Sequence, residues 1–334
     1  MKIISIIGTR PQYIKIKPLY DYCKNIGLDH VIVDTNQHYS DNVSKNLIKD
    51  LDLNIDINLN LEYSSEIEFI TKTTLKLSEL LNRERPNFAL VYGDTNSTFC
   101  AALSAYKLGI PIAHIEAGER CFNNSVPEEI NRIFTDNVSK LNFCSSISST
   151  NNIGGIFCGD LEYNLLNNID PKIEFLNFGV MTIHRQSNCS KERIRKIFDL
   201  CSKLPYDIMF YAHHRIKPYI ENIPTNVKVL NPCVYSEMVG KMAKCKFIIT
   251  DSGSVQKTSA FFGKNTLVMR NISEWKDTER CGVAKLEEDP AGDIEWLLGP
   301  SSPRERGLYL SKVHSPAEII INNILRSLEI KNES

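Results

Sequence analysis

Acidic side chains are concentrated in residues 91–132 of this sequence, which contain the stretches VYGDTNST, HIEAGER and PEEINR. Asp94 and Glu116 each come directly after an apolar run that predicts a β-strand, and Glu128 follows in the third stretch. Carboxylates that converge on one crevice can carry out acid–base chemistry, because mutual repulsion and partial burial raise their pKa values toward neutrality. A solvated surface charge is the alternative for each glutamate, but a position at a strand end favours a catalytic role.

Two other turns carry groups that could hold an anion. The turn GTRPQ at 8–12 combines a glycine, the start of a predicted helix and Arg10, whose guanidinium group can bind a phosphate through two hydrogen bonds. The turn DSGS places Ser252, Gly253 and Ser254 at the start of a second predicted helix, where two hydroxyl groups and several backbone N–H groups could contact one anion. The alternatives are a structural turn for the first and a simple helix N-cap for the second.

Histidine and arginine side chains form two further clusters. One consists of His184 and Arg185, and the other of His213, His214 and Arg215. A single histidine is usually structural. Both clusters follow predicted strands, however, and they accompany a phosphate-type turn, which favours contact with a ligand.

The order of apolar and amphipathic stretches predicts how these groups are positioned. Short β-rich runs alternate with longer amphipathic stretches, which is typical of parallel sheets with crossover helices. The predicted strands are Lys2–Ile7, His30–Asp34, Phe88–Tyr92 and Ile112–Ile115 in a first series, and Phe175–Ile183, Ile208–Ala212, Val227–Leu230, Phe247–Thr250 and Thr266–Met269 in a second. Helices are predicted from about Gln12, over Val255–Phe262 and over Ser315–Leu328. The Asn- and Gly-rich segment Asn151–Asp170 is interpreted as the approach to a hinge near 160–175.

Size and composition exclude several classes of protein. The chain has 334 residues, of which 42% are hydrophobic and 24% charged, and this predicts two globular domains of about 150 residues each. The net charge of −1 gives no basic field for nucleic acid or anionic lipid, so neither is expected as a partner. The ten cysteines have irregular spacings without a CxxC pair, which favours free thiols in a reducing compartment. Because no signal peptide and no apolar run of ~18 residues is recognised, we expect a cytoplasmic protein.

As a set, the motifs resemble the non-hydrolysing UDP-N-acetylglucosamine 2-epimerase family, which has the GT-B fold. The match runs in order over nearly the whole chain through GTRPQ at 8–12, NQHYSDN at 36–42, YGDT at 92–95, HIEAGER at 114–120, PEEINR at 127–132, TIHR at 182–185, DSGSVQ at 251–256 and MRNISEW at 269–275. The resemblance implies an α/β fold of GT-B type, with two Rossmann-like parallel-sheet domains and the active site in the cleft between them. The implied domains are 1–165 and a UDP-binding domain at 166–314, with helix 315–334 packing back on the first.

The family pattern, carried over position by position, also implies the roles of particular residues. The implied catalytic residues are Asp94, Glu116, Glu128 and His184, the last as a catalytic or phosphate-contacting imidazole. The implied contacts to substrate or UDP are Arg10, Gln37, His38, Arg185, His213, Arg215, Ser252, Gly253, Ser254, Thr258 and Arg270. The resemblance implies a UDP-linked N-acetylamino sugar as ligand, no metal, no cofactor and a homodimer.

Three departures from the family pattern concern the nucleotide site. Ser254 stands where the family has a second glycine. Lys257 and Thr258 replace two glutamates, of which the second ordinarily binds the ribose hydroxyl groups. The stretch Ser273–Trp275 replaces a TERPE-like motif. These features resemble those of relatives that epimerise diacetamido-uronic acid or 6-deoxy-N-acetylhexosamine nucleotides. The sequence therefore leaves the identity of the sugar open.

The implied reaction inverts a carbon, C2, that has no adjacent carbonyl group to acidify its proton. In the family's solution UDP leaves C1 while C2 loses its proton, and UDP then adds back to the resulting 2-acetamidoglycal with protonation on the opposite face. Three alternatives stay open: a hydrolysing epimerase that releases free sugar and UDP, a GT-B glycosyltransferase, and a non-catalytic nucleotide-sugar binding protein.

Overall fold

The apolar run Lys2–Ile7 forms β1, an interior strand of a parallel sheet, in the computed structural model. Every residue from Ile3 to Ile7 is buried, as expected for a strand that helices cover on both faces. β1 lies between two parallel neighbours, β2 (Asp29–Asp34) on one side and β4 (Phe88–Tyr92) on the other. The structure describes residues 1–37, 41–166, 176–273, 275–300 and 315–329.

Seven parallel strands make up this first sheet, in the order β3-β2-β1-β4-β5-β6-β7. The remaining strands are β3 (Ile57–Asn58), β5 (Ile112–Ile115), β6 (Leu141–Cys144) and β7 (Ile156–Phe157). The accompanying helices are α1 (Arg10–Asn25), α2 (Asp41–Asp50), α3 (Glu66–Glu84), α4 (Asn96–Lys107), α5 (Pro127–Val138), α6 (Ile147–Ile153) and α7 (Glu162–Leu166). A core cluster joins the sheet to α3 and α4 through buried residues such as Ile4, Leu77, Val91 and Ala101.

Six parallel strands make up a second sheet, in the order β10-β9-β8-β11-β12-β13. These strands are β8 (Phe178–Thr182), β9 (Asp207–Tyr211), β10 (Val227–Leu230), β11 (Phe247–Thr250), β12 (Asn265–Val268) and β13 (Ala284–Leu286). The helices are α8 (Lys191–Cys201), α9 (Tyr235–Lys244), α10 (Gly253–Phe261), α11 (Lys276–Arg280) and α12 (Pro290–Leu298). The prediction of two series of parallel strands with crossover helices is confirmed.

The chain divides into two compact units. One unit consists of Met1–Leu165 together with Val313–Ser334, and the other of Leu166–Lys312. The last described helix, α13 (Pro316–Glu329), belongs to the first unit, where it contacts α1. Its buried residues include Ile320, Ile321 and Ile324, which give it an apolar face for this contact.

The segment Asn151–Asp170, interpreted as the approach to a hinge, contains the boundary between the two units at Leu165 and Leu166, and the hinge itself stays a prediction. The segment contains the end of α6, the edge strand β7 and α7, while residues 167–170 lie outside the described residues. Its glycines have local structural tasks. Gly154 ends α6 in a left-handed conformation (φ +67°), and a Cβ on Gly155 would lie 2.6 Å from Cys144 Sγ. These two glycines therefore shape the end of α6 and the start of β7 next to β6.

Four short strands, β3, β6, β7 and β13, had no counterpart in the predicted series, because runs of two to four residues give too little periodicity. All ten cysteines are free thiols, and six of them are buried. Burial raises the pKa of Cys201 and Cys245 to about 12, so both thiols stay protonated near neutral pH. None of the helices in the described ranges has the length and apolar character needed to cross a bilayer.

Candidate active site

Asp94 lies in the turn between β4 and α4. Gly93 precedes it in a left-handed conformation (φ +64°), and Thr95 caps α4 by accepting a hydrogen bond from Thr98 N. Arg132 on α5 pairs with the Asp94 carboxylate, with 2.5 Å between Nη2 and Oδ2. The Asp94 side chain is 36% exposed, so it is held in one place and still open to a ligand.

The charges around Asp94 alter its acidity. Burial raises the pKa of its carboxyl group, the Arg132 guanidinium opposes this shift, and the negative charges of Glu116 and Glu128 raise the pKa further. The three carboxylates predicted to be catalytic are therefore close enough for two of them to influence the third. A carboxyl group with a raised pKa is suited to donate a proton near neutral pH.

Glu116 directly follows β5 and has an unusual backbone conformation. Its φ is +63°, which is rare outside glycine and is often found at functional sites. Its turn adjoins the Asp94 turn, because Gly93 N donates to Ile115 O at 2.9 Å and a Cβ on Gly93 would lie 3.7 Å from Glu116 Oε2. The Glu116 side chain is 18% exposed and accepts a hydrogen bond from Lys15 Nζ at 2.8 Å.

Lys15 on α1 is a site residue that the sequence analysis missed. Its side chain is buried, and Nζ also lies 2.6 Å from Oδ1 of Asp160, a buried residue that follows β7. A buried ammonium group requires partners of opposite charge, and both partners here are carboxylates. The sequence signal that could have identified Lys15 is the stretch IKIKP. There Lys15 stands between Ile14 and Ile16, and both isoleucines are buried in the structure.

Glu128 and Glu129 stand in the first turn of α5, but only the second is buried. Glu128, the predicted catalytic residue, is exposed. Glu129 accepts hydrogen bonds at 3.0 Å from the backbone N–H groups of Cys121 and the next residue, and its Oε2 lies 3.1 Å from Arg132 Nη1. The structure therefore leaves Glu128 open to a ligand and uses Glu129 to fix the loop before α5 and to orient Arg132.

Two backbone N–H groups in the turn after β1 are already hydrogen-bonded within the protein. Gln12 Oε1 accepts from Gly8 N at 2.8 Å and from Thr9 N at 3.1 Å, so these two groups are occupied. Gly8 is required for close packing, since a Cβ there would lie 2.1 Å from Thr35 Oγ1. The half-buried Arg10 remains the anion-binding candidate of this turn.

Gln37 uses its side-chain oxygen within the protein. Oε1 accepts hydrogen bonds from Ser97 N at 3.0 Å and from Ser97 Oγ at 2.7 Å, which satisfies a backbone N–H group in the first turn of α4. Its predicted contact with the ligand stays a prediction. His38, which was predicted beside it, lies outside the described residues.

In the second unit, Asp251 organises the turn after β8. This fully buried carboxylate accepts hydrogen bonds from the backbone N–H groups of His184 and Arg185, from Asn188 Nδ2 and from His184 Nδ1, the last at 2.9 Å. Burial acts to raise the pKa of Asp251, but His184 and the other donors hold it below its ordinary value. Because a carboxylate only accepts, His184 Nδ1 carries a proton, which leaves Nε2 of the 40% exposed side chain for a ligand.

His213 lies beside His184, with 6.2 Å between their ring centroids. His214 stacks on His213 at 4.0 Å, and Arg215 N donates to His213 Nδ1 at 3.4 Å. Arg185 and Arg215 both have exposed side chains. The second unit thus brings together the imidazole groups that the sequence analysis predicted as ligand contacts.

Ser252 is the N-cap of α10, and its Oγ accepts a hydrogen bond from Val255 N at 3.4 Å. The alternative of a helix cap therefore holds for Ser252. Gly253 and Ser254 are the first two residues of the helix, where backbone N–H groups have no partner within the helix. Since all three residues are only half-buried, capping and anion binding are compatible at this turn.

Thr258, predicted to stand at the ribose contact, is buried within α10. Its side-chain hydroxyl donates to Ser254 O at 3.0 Å, a bond within the helix itself. The neighbouring Lys257 places its ammonium group 4.0 Å from the centroid of the Trp275 ring. Two of the departures from the family pattern therefore contact each other, in a cation–π pair.

The loop between β12 and α11 is fixed to α10 through the buried Gln256. Its Nε2 donates to Thr278 Oγ1 at 2.6 Å, and its Oε1 accepts from Ser273 Oγ at 2.9 Å. Arg270 at the start of this loop is half-buried, and its backbone N–H donates to Val268 O. Within the described ranges, no group of three or more His, Cys, Asp or Glu side chains is arranged to hold a metal ion.

The class of protein that emerges is an α/β enzyme of two parallel-sheet units, with interacting carboxylates in one and an imidazole cluster beside a phosphate-type helix start in the other. More particularly, the chain belongs to the UDP-N-acetylglucosamine 2-epimerase family, whose sequence model matches residues 22–155 and 159–295. This confirms the resemblance that the motifs carried, and the chain is an enzyme of the epimerase class.

Two curated relatives are similar over most of their length. The chain is 34% identical over 308 residues to a UDP-N-acetylglucosamine 2-epimerase homolog of Methanococcus maripaludis, covering 83% of this chain and 86% of that protein. It is 33% identical over 316 residues to the UDP-2,3-diacetamido-2,3-dideoxy-D-glucuronate 2-epimerase of Pseudomonas aeruginosa, covering 86% of this chain and 88% of that protein.

Solved structures agree with the fold. The UDP-GlcNAc 2-epimerase from Neisseria meningitidis bound to UDP-GlcNAc superposes with a TM-score of 0.82 at 25% identity, covering 98% of this chain and 100% of that chain. The glycosyltransferase SnogD from Streptomyces nogalater, at 13% identity, is similar in fold alone with a TM-score of 0.61, covering 97% of this chain and 98% of that chain. The predicted GT-B type fold is confirmed, and the homodimer stays a prediction.

Proposed function

We propose that the chain is a UDP-N-acetylamino-sugar 2-epimerase that inverts C2 by elimination and re-addition of UDP. The observation that carries the proposal is the pair of adjoining turns that hold Asp94 and Glu116. The pKa of Asp94 is raised, whereas Glu116 is paired with the Lys15 ammonium group, which favours its ionised form. Two carboxyl groups whose environments differ in this way supply an acid and a base at one place.

In the proposed elimination, the C2 proton passes to a carboxylate and its bonding electrons form a C1–C2 double bond. The C1–O bond breaks at the same time, and UDP leaves with that electron pair. In the return step a UDP oxygen bonds to C1, and the double-bond electrons take up a proton on the opposite face of C2. The sum is an inversion at C2 that leaves one carboxyl group protonated and another deprotonated, and proton exchange with solvent then restores both groups.

The groups of the first unit suit these proton transfers. Glu116 suits the removal of a proton because Lys15 keeps it ionised, and Asp94 suits the return of a proton because its pKa is raised. Glu128 is exposed and contributes to the electrostatic environment of Asp94, so it is the third candidate for proton transfer.

The groups of the second unit suit a departing diphosphate. Helix N-termini and preorganised donors stabilise developing negative charge, and the start of α10 and the imidazole of His184 are donors of this kind. The proposed diphosphate and nucleotide contacts of this unit are Arg185, His184, His213, Arg215, Ser252, Gly253, Ser254 and Arg270. Arg10, which belongs to the first unit, is proposed as a further phosphate contact.

The proposed substrate class is a UDP-linked N-acetylamino sugar. The names of the relatives include both UDP-N-acetylglucosamine and a UDP-diacetamido-glucuronate. Lys257 and Trp275, two of the residues that depart from the family pattern, contact each other. The panel of substrates should therefore include modified sugars beside the simple one.

The deciding experiment is incubation in D2O with a panel of these UDP-sugars, followed by NMR. We expect deuterium at C2 together with the new C2 epimer, without an acceptor. Free N-acetylamino sugar with accumulating UDP would instead identify a hydrolysing epimerase. If calorimetry detects binding of the UDP-sugar but no deuterium enters at C2, the chain is a non-catalytic binding protein. Transfer of the sugar only when an acceptor is added would identify a glycosyltransferase.

A further inference from the structure

The Lys15 ammonium group joins two carboxylates that are far apart in the sequence. Nζ lies 2.8 Å from Glu116 Oε1 and 2.6 Å from Asp160 Oδ1. The Lys15 side chain is 5% exposed and that of Asp160 is 3% exposed, so solvent screens these charges weakly. Both carboxylates lie within reach of one ammonium group, inside the ~6 Å over which a neighbouring charge shifts a pKa.

Asp160 is held by its own turn and not by Glu116. Gly159 adopts a left-handed conformation (φ +82°) at the end of β7 and directs the chain into this turn. Glu162 N then donates to Asp160 Oδ1 at 2.9 Å, and Tyr163 N donates to Asp160 O at 3.0 Å. Hydrogen bonds within its own turn therefore fix the position of this carboxylate.

Charged and titratable groups reach Glu116 from several elements. Lys15 comes from α1, Asp94 from the turn after β4, and Asp160, through Lys15, from the turn after β7. His114 on β5 lies behind the turn, where its Nε2 contacts Gly93 O at 2.8 Å and its Nδ1 contacts the Asp136 carboxylate. Among these groups, Lys15 is a cation in direct contact with Glu116, and Asp160 contacts the same ammonium group.

We propose that Asp160 is a positioning residue of the reaction, which holds Lys15 beside Glu116, shares the positive charge of its ammonium group and thereby keeps Glu116 basic enough to accept a proton from the substrate. The inference rests on the proposed function, because it assigns Glu116 the role of base. Asp160 itself touches neither substrate nor reacting atoms in this scheme.

The direction of the effect follows from elementary electrostatics. A lysine ammonium group paired with a single carboxylate stabilises its ionised form and makes it a weak base. A second carboxylate on the same ammonium group neutralises part of that charge and raises the pKa of the first. Removing the charge of Asp160 must therefore lower the pKa of Glu116, whereas removing Lys15 must raise it.

The test compares Asp160→Asn with Lys15→Met and a matched control, Asp293→Asn. An asparagine at 160 can still accept from Lys15 and from Glu162 N, so the turn is expected to fold. Asp293 in the second unit is a near copy of the Asp160 environment, since it is buried and accepts from Lys285 Nζ at 3.0 Å and from Glu288 N at 3.2 Å. Thermal unfolding of each variant verifies the fold.

Two readouts are needed. The first is a 13C NMR titration of labelled glutamate carboxyl groups, in which a Glu116→Gln variant assigns the Glu116 signal. The second is the pH profile of kcat/KM in the D2O exchange assay. We expect Asp160→Asn to lower the Glu116 pKa and the acid limb of the profile by about one pH unit. Lys15→Met should shift both upward, and Asp293→Asn should leave both in place.

The outcomes separate the inference from the function on which it rests. If Asp160→Asn leaves the Glu116 titration and the acid limb unchanged, the inference is wrong even though the enzyme epimerises. If the Glu116 titration shifts as expected but the wild-type chain exchanges no C2 proton with any UDP-sugar of the panel, the proposed function is wrong and Asp160 has no reaction to serve. Equal shifts in Asp160→Asn and Asp293→Asn would also overturn the inference, because a general loss of buried charge would then explain them.

Discussion

The two units hold their polar groups in different ways. In the first unit, charged side chains pair with each other, Lys15 with Glu116 and Arg132 with Asp94. In the second unit, the buried carboxylate of Asp251 is surrounded by N–H donors and fixes one imidazole. In the first unit the charged neighbours act on the pKa of Asp94, and in the second the donors that lower the pKa of Asp251 also fix the tautomer and orientation of His184. The first arrangement suits proton transfer and the second suits the binding of an anion.

This difference predicts different kinetic signatures. Substitutions among the paired carboxylates should lower kcat with little change in KM, because they remove interactions needed for the chemical step. Substitutions around the imidazole cluster should weaken binding of the nucleotide as well as turnover. The comparison fails if variants of the first unit weaken substrate binding, or if variants of the second unit change kcat alone.

The largest effect is expected for Asp94→Asn. The amide can still accept a hydrogen bond from Arg132, but it cannot donate a proton as the carboxyl group does, so kcat should fall by at least ~10²-fold. The pKa of Asp94 is raised, which places the alkaline limb of the wild-type kcat profile above the range of an ordinary aspartate. Steady-state kinetics and the pH profile measure both effects.

A suitable control for this variant is Asp29→Asn, which changes an exposed aspartate at the start of β2 and should retain wild-type turnover. Turnover of Asp94→Asn near the wild-type level, at wild-type thermal stability, would remove Asp94 from the catalytic residues. A rise in KM with unchanged kcat would also break the comparison, since it would give Asp94 a role in binding.

A smaller effect is expected for Asp251→Asn. An asparagine has one oxygen in place of two and presents an amide N–H group to donors, so it cannot satisfy His184 Nδ1 and all the surrounding N–H groups. We expect kcat/KM to fall by about tenfold, with a weaker affinity for UDP in calorimetry. Some loss of thermal stability is also expected, since the carboxylate is fully buried.

A double-mutant cycle with His184→Gln separates the two explanations of that loss. If Asp251 acts through the imidazole, the combined variant should lose little more affinity for UDP than His184→Gln alone. Additive losses would mean that Asp251 supports the turn independently of the imidazole, and the assigned role of the His184 tautomer would then be wrong.

The carboxylates could be predicted from the sequence because they follow apolar runs. Phe88–Tyr92 and Ile112–Ile115 are strands as predicted, and the carboxyl ends of parallel neighbours necessarily lie at one edge of the sheet. The sequence therefore placed Asp94 and Glu116 at strand ends, and the structure adds that the two strands are neighbours. The parts of the fold with clear periodicity were predictable for the same reason.

The ion pairs that tune those carboxylates could not be predicted in the same way. Lys15 and Asp160 are 145 positions apart, one on α1 and the other in the turn that follows the two-residue strand β7. A strand of two residues is too short to show a periodic pattern in the sequence. A single lysine in a helix is ordinarily solvated, so Lys15 did not stand out either. Likewise, nothing in GTRPQ shows that the side chain of Gln12 takes the N–H groups that an anion would need.

The smallest effect is expected for Thr258→Val, which tests the residue that replaces the family's ribose-binding glutamate. Its hydroxyl already donates to Ser254 O within α10, so its loss should leave KM within about twofold of the wild type. Thr71→Val is a matched control, because Thr71 Oγ1 makes the same kind of bond to Ile67 O on α3. Thermal unfolding of the two variants measures what such a bond contributes, at most ~1.5 kcal/mol. A rise in KM of about tenfold for Thr258→Val alone, absent when 2′-deoxy-UDP-sugar is the substrate, would show instead that this hydroxyl holds the ribose.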